Sequence, residues 1–416
     1  MRTLTNLFAM VSILALSTPA MAENRTSDIT VAKSVLDNAV TSGSLNFAVA
    51  AVGGKSGQSW SYAAGHRDAE QTRPASPDNI IQIASMTKLI TTIAALQLME
   101  QGKLDLDSPI SIYAPELTNL QVLKGFDVDD NPVFEKAKRA PTARELMTHT
   151  AGYVYEFWNA NSLKAAQLGV SPSLLNGGNY LAAPLAFQPG TAWEYGINTD
   201  WLGVLVERIS GKRLTVYFEE NIFSPLGMED TFYELPSNKL DRSVTVMARG
   251  AEGLIPLPNF QPMPREKGSM VHYSGGGGLS STVKDYGRVL QMLLNEGSLN
   301  GNTLLKSQTV DTMFENNIGE IQPVALATVM PTMSNTADMS FGQSATFGLG
   351  LLLHTDGMAG GRAANAGSWA GLFNSYYWVD REAGKYGIFG TQVLPFYDGV
   401  AIETLLKFEQ AVYQND

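Results

Sequence analysis

A serine and a lysine three residues apart, Ser85 and Lys88, stand where the run Asn79-Ile80-Ile81-Gln82-Ile83-Ala84 gives way to Met86, Leu89, Ile90, Ile93, Leu96 and Leu98. The first run reads as a buried strand entering a turn. The second, with steps of three and four, reads as a helix ending near Gly102. A spacing of three places Lys88 on the same helical face as Ser85, so its amine can reach the hydroxyl. A serine hydroxyl becomes a nucleophile when a base takes its proton, and Lys88 is the only charged residue between Asp78 and Glu100. Neutralising a lysine of ordinary pKa ~10.4 takes a shift of about three units, or ~4 kcal/mol. Burial supplies up to about 3–5 units. The pair predicts acyl-transfer chemistry in a dry pocket.

The same spacing recurs at Ser281-Thr282-Val283-Lys284, after Gly275-Gly276-Gly277-Gly278. There Thr282 and Asp285 form a capping pair for the amphipathic segment 283–295, which accounts for the copy. The four glycines read as a tight turn, since they lack the spacing and lysine of a phosphate loop.

A reactive serine also needs a proton relay and donors for the oxyanion. The turn Pro189-Gly190-Thr191-Ala192-Trp193-Glu194-Tyr195 precedes a helix starting near Trp201 and offers Tyr195 as the relay; Asn198 and Asp200 read as caps of that helix. The stretch Ala366-Gly367-Ser368-Trp369-Ala370-Gly371-Leu372-Phe373 can set a backbone N–H at a strand edge. The histidines are His66, His149, His272 and His354. His149, in a Thr-His-Thr-Ala-Gly turn, reads as structural rather than as the base of a triad. No His-x-x-x-His pair suggests zinc, and no Gly-x-Ser-x-Gly elbow is present.

The elements that must position these groups come from both ends of the chain. A helix is predicted over 28–42, strands over 47–52 and 59–65, a strand over 347–353, a hairpin of 374–379 with 386–391, and a terminal helix over 400–412. From 116 to 254 strand patterning fades and helical patches alternate with Pro/Gly loops. The expected organisation is an α/β domain over 23–115 and 255–416, with a mainly helical insertion over 116–254. The fold class is α+β, an antiparallel sheet flanked by helices plus the inserted lobe, with the site in the cleft.

Composition narrows the function. The 416 residues carry a formal charge of −11 with no basic cluster, which argues against nucleic-acid binding or adhesion to anionic lipid. The absence of cysteine excludes disulfides and thiol chemistry. Arg2, the apolar stretch Leu7 to Leu16 and Ala20-Met21-Ala22 predict an export signal over residues 1–22, hence a periplasmic or secreted protein. No other segment approaches the ~20 apolar residues of a membrane span, so no membrane insertion is expected.

In order and spacing, Ser85-Met86-Thr87-Lys88, the Pro-Gly-Thr-x-Trp-x-Tyr run ending at Tyr195, and Trp369-Ala370-Gly371 resemble the three motifs of serine β-lactamase-like hydrolases. The chain is most similar to the esterase branch related to class C β-lactamases, the family VIII carboxylesterases. Leu146 to Gly152, Ser224 to Met228 and Gly275 to Thr282 also look familial, and the resemblance covers about residues 30–410. It implies a β-lactamase/penicillin-binding-protein-like fold, Ser85 as nucleophile, Lys88 and Tyr195 as a coupled base, and an oxyanion hole from the N–H groups of Ser85 and Leu372. Trp369, Ala370 and Gly371 would line the substrate site. No metal or cofactor is implied, and oligomeric state is not legible.

Two departures bear on substrate. Ile197 stands where the β-lactamase pattern has asparagine, and Trp369 where it has a lysine or histidine that meets the substrate carboxylate. An indole there predicts a carboxylesterase acting on short-chain neutral esters through an acyl-enzyme. The alternatives are a β-lactamase or D-alanyl peptidase, an acyltransferase using the same residues, and a catalytically silent binding protein. Ser85→Ala is expected to abolish release of p-nitrophenol from a p-nitrophenyl ester, while Ser281→Ala changes little. A dead Ser281→Ala enzyme would overturn the assignment.

Overall fold

The computed structural model describes residues 20–175 and 179–414, with backbone only before residue 30. Residues 1–19 of the expected export signal lie outside the described residues. The principal helices are α1 (Ala20–Thr41), α2 (Thr87–Glu100), α3 (Asn198–Ser210), α4 (Val283–Leu294) and α5 (Gly399–Tyr413). The main strands are β1 (Phe47–Gly54), β2 (Gly57–Gly65), β3 (Ala345–Phe347), β4 (Leu352–His354), β5 (Ala366–Gly371), β6 (Ser375–Asp380) and β7 (Lys385–Gly390). They form one seven-stranded sheet in the order β3-β4-β5-β6-β7-β1-β2. Every pairing is antiparallel, and β1 from the start of the chain joins β7 from its end.

Helices cover both faces, so strands such as β6 read as continuous apolar runs rather than alternating ones. Side chains alternate along β7. Tyr386 points at α4, where a Cβ on Gly287 would lie 2.9 Å from its hydroxyl, and Phe389 points the other way, its ring 6.4 Å from that of Phe408 on α5. Caps fix the ends of these two helices. The Thr282 hydroxyl accepts the Asp285 N–H at 3.1 Å, and the Asp398 carboxylate accepts the N–H groups of Val400 and Ala401, each at 3.1 Å. This is the α+β architecture expected.

Three local expectations give way. The strand expected over 347–353 is two strands, β3 and β4, because the chain turns at Gly350, whose φ of 75° falls in the left-handed region. Within 116–254 the structure holds a hairpin, Gln121–Phe126 with Pro132–Lys136, that hydropathy patterning does not reveal. Its second strand is mostly exposed, so no apolar face marks it. The strand expected over 79–84 is only Ile81–Gln82, paired antiparallel with Ser280–Ser281.

Helix α2 is buried on all sides, from Thr87 through Leu98. It packs against α3, and the glycine-rich turn after residue 274 closes over both. A Cβ on Gly275 would lie 2.4 Å from the Thr199 carbonyl oxygen and 2.9 Å from the Gly203 Cα, so backbone meets backbone there. Gly275→Ala must push this turn off α3. The expected loss is about 1–3 kcal/mol of stability, read from urea unfolding, with a fall in ester turnover. A variant as stable as the wild type would mean that the turn yields without cost.

Candidate active site

The chain reaches Ser85 through a forced turn. Ala84 takes a φ of 43°, uncommon for a residue with a side chain, and a short 3-10 turn over Ala84–Met86 runs into α2. Lys88 lies in the first turn of α2 and is only 3 % exposed. Its Nζ is 3.3 Å from Ser85 Oγ, 3.0 Å from the Tyr155 hydroxyl and 2.6 Å from the Gly276 carbonyl oxygen. As an ammonium it donates to all three. As a neutral amine it gives its two protons to Gly276 and Tyr155 and keeps a lone pair for the Ser85 proton. The geometry serves either protonation state.

Gly276 is held in place by its neighbours: the Thr91 hydroxyl on α2 donates to the Gly275 carbonyl at 2.6 Å. The glycine run thus supplies a ligand to Lys88, a role that its composition did not disclose. The second Ser-x-x-Lys copy forms no such site. Ser281 is buried with its hydroxyl 2.7 Å from that of Thr231, and Lys284 faces solvent.

The tyrosine bonded to Lys88 is Tyr155, which sequence reasoning missed. Tyr195 is close by but differently engaged. Its ring lies 4.8 Å from Lys88 Nζ and its hydroxyl oxygen accepts the indole N–H of Trp369 at 3.1 Å. The Tyr195 proton therefore remains available to a third group. The two phenol rings are 5.3 Å apart. Burial, reinforced by the charge of Asp200, pushes the Tyr155 phenol well above its ordinary value, so it stays protonated.

Trp369 borders the same cavity as Ser85, and its N–H is engaged on the Tyr195 hydroxyl. Behind it His149 stacks on the indole at 6.2 Å, its Nδ1 3.0 Å from the Asn198 amide nitrogen. Burial, with the Lys88 charge adding, holds His149 well below the usual imidazole range, so the ring is neutral. Neither that ring nor Asn198, expected as a helix cap, faces Ser85. Asn198 instead ties His149 to the Tyr153 carbonyl, at 2.9 Å. Ile197 is buried.

The strand edge carrying Leu372 comes against the turn before Ser85 because Gly371 has no side chain. A Cβ there would lie 2.3 Å from the Ile83 carbonyl oxygen. Ser85 and Leu372 both border the cavity, and neither amide donates to another carbonyl among the loop and turn hydrogen bonds of the described residues. Two amides so placed can receive an oxyanion. The cavity, about 350 Å³, is walled by Phe157, Trp158, Phe260, Met333, Trp369 and Phe396.

Two conservative variants separate the tyrosines. Tyr155→Phe deprives Lys88 of one partner and is expected to lower kcat for p-nitrophenyl butyrate by about tenfold. Tyr195→Phe removes a proton-transfer group and is expected to cost about 10²–10⁴ in kcat. A Tyr195→Phe enzyme as active as the wild type would remove Tyr195 from the relay.

The family model described as Beta-lactamase matches residues 36–407. Acyltransferase calJ of Penicillium decumbens is 35% identical over 342 residues, covering 78% of each chain. Lovastatin esterase of Penicillium rubens is 32% identical, covering 83% of this chain and 87% of its own. Among solved structures, the LovD6 mutant of simvastatin synthase from Aspergillus terreus superposes with a TM-score of 0.79 at 28% identity, covering 94% of this chain and 97% of its own. The chain therefore belongs to the Beta-lactamase family and is a serine-hydrolase-type enzyme of that family.

Proposed function

We propose that the protein is an acyl-transferring esterase: Ser85 takes the acyl group of a neutral ester and passes it to water or, preferentially, to an alcohol that fills the cavity. The observation that carries this is Ser85, 3.3 Å from the buried Lys88 amine, at one side of an aromatic cavity of about 350 Å³. Attack of Ser85 Oγ on the ester carbonyl forms the acyl–oxygen bond and breaks the bond to the leaving alcohol. The Ser85 proton passes through Lys88 and Tyr195 to that alcohol. An incoming alcohol or water then gives its proton back along the same route as its oxygen takes the acyl group, and Ser85 is restored. The N–H groups of Ser85 and Leu372 receive the oxyanion in both halves.

Transfer to alcohol is favoured over simple hydrolysis by the shape of the site and by its relatives. An apolar cavity binds an organic acceptor better than it binds water. Of the relatives named above, one is an acyltransferase and one an esterase. Among the described residues bordering the cavity none is lysine or arginine, so a β-lactam carboxylate would find no cation there.

Two measurements test this. With p-nitrophenyl butyrate as donor, adding a hydrophobic alcohol is expected to divert the acyl group into a new ester at the expense of butyrate. Free acid as the sole product at every alcohol concentration would reduce the protein to a hydrolase. Replacing Trp369 with lysine restores a cation and is expected to shift kcat/KM toward carboxylate-bearing esters by about 10–200-fold, with Trp369→Leu as the apolar control. An unmoved ratio would take Trp369 out of the substrate pocket.

A further inference from the structure

Among the described residues bordering the cavity, one charged side chain has no part in the acyl-transfer scheme. Asp200, in the first turn of α3, borders the cavity together with Ser274 and is 2 % exposed. Its Oδ1 accepts the hydroxyl of Ser274 and, at 2.8 Å, that of Tyr180. Two hydroxyl donors on one oxygen suit a carboxylate, which accepts and does not donate. Tyr180 in turn lies 3.2 Å from His272 Nε2. The other oxygen, Oδ2, receives no hydrogen bond from the described residues. It sits over Gly276, where a Cβ would come within 2.2 Å of it.

A buried carboxylate without a cation costs free energy unless other groups compensate it. The two hydroxyls and the positive end of α3 offset part of that cost. Because Asp200 borders the space that substrate must occupy, Oδ2 is left as its free acceptor. We propose that Asp200, positioned by Ser274 and Tyr180, is a specificity site for the acyl acceptor: it selects an alcohol bearing a second hydrogen-bond donor, a hydroxyl or an ammonium, and rejects one bearing a carboxylate. This rests on the acyl-transfer reading and adds the substrate class. The chemistry is unchanged: the acceptor's reacting hydroxyl takes the acyl group from Ser85 and returns its proton, while the second donor stays bonded to Oδ2.

The test uses the full chain, p-nitrophenyl butyrate as donor, and four acceptors of matched length: 1-butanol, 1,4-butanediol, 4-amino-1-butanol and 4-hydroxybutyrate. Transfer product is quantified for each. The readout is the ratio between acceptors within one enzyme variant, so that any change in the acylation step cancels. In the wild type the diol and the amino alcohol are expected to exceed butanol, and hydroxybutyrate to fall below it. In Asp200→Asn the ratio of amino alcohol to hydroxybutyrate should drop by about 10–100-fold, the range of a hydrogen bond to a charged group. Ser274→Ala removes one of the two hydroxyls that position Asp200 and should lower the ratio of amino alcohol to hydroxybutyrate in the same direction but by less than Asp200→Asn does, which covers the case in which the asparagine variant folds poorly. An unchanged order in Asp200→Asn, or a loss equal for all four acceptors, would overturn the subsite alone; the equal loss would place Asp200 in the support of Lys88 and Tyr155. No p-nitrophenol burst from the wild type would overturn the acyl-enzyme reading and the subsite with it.

Discussion

The buried Lys88 amine must be given partners, and the contact on which this site most depends is the Gly276 carbonyl, 2.6 Å from Lys88 Nζ. A carbonyl can only accept, so it fixes where one Lys88 proton points whatever the charge on the nitrogen. The remaining directions fall toward Tyr155 and Ser85. That carbonyl in turn depends on the close approach of the glycine turn to α3 and on the Thr91 hydroxyl of α2. The two helices and the turn therefore converge on the orientation of one amine.

The opposite wall is aromatic. Trp369, Tyr195 and His149 pack on one another, with Phe347 of β3 closing the cluster, its ring 5.5 Å from that of Trp369. Such packing holds the indole N–H on the Tyr195 oxygen. A neutral His149 suits this place, since a charged ring would need a counter-charge that the cluster lacks. The wall is apolar in composition yet carries one directed donor.

How much of this was legible in the sequence follows from the range of each interaction. Ser85, in the 3-10 turn, and Lys88, in the first turn of α2, are three residues apart, so spacing alone brought them together. Trp369 and Tyr195 came from ordered motifs, and the structure adds what no motif states, that their polar atoms meet. Tyr155 and Gly276 stayed hidden for another reason. They reach Lys88 across 67 and 188 residues of chain, and neither the stretch around Tyr155 nor the glycine run states that partner. The hairpin at 121–136 was invisible because a strand exposed to solvent has no hydrophobic alternation to read. The break between β3 and β4 was masked by leucines that continue the apolar run through the turn.

Gly276 has neighbours on two sides. Its carbonyl serves Lys88, and the hydrogens on its α-carbon face the carboxylate of Asp200, which occupies the volume where a side chain would begin. The two positions are therefore epistatic. A chain that acquired alanine at 276 while keeping aspartate at 200 would have to move the turn, and with it the partner of the lysine. A chain that first shortened residue 200 could accept the alanine. Substitutions at these sites are thus expected to be tolerated in one order and not in the other, so the path by which this cavity can change its contents is constrained by a single missing methyl group.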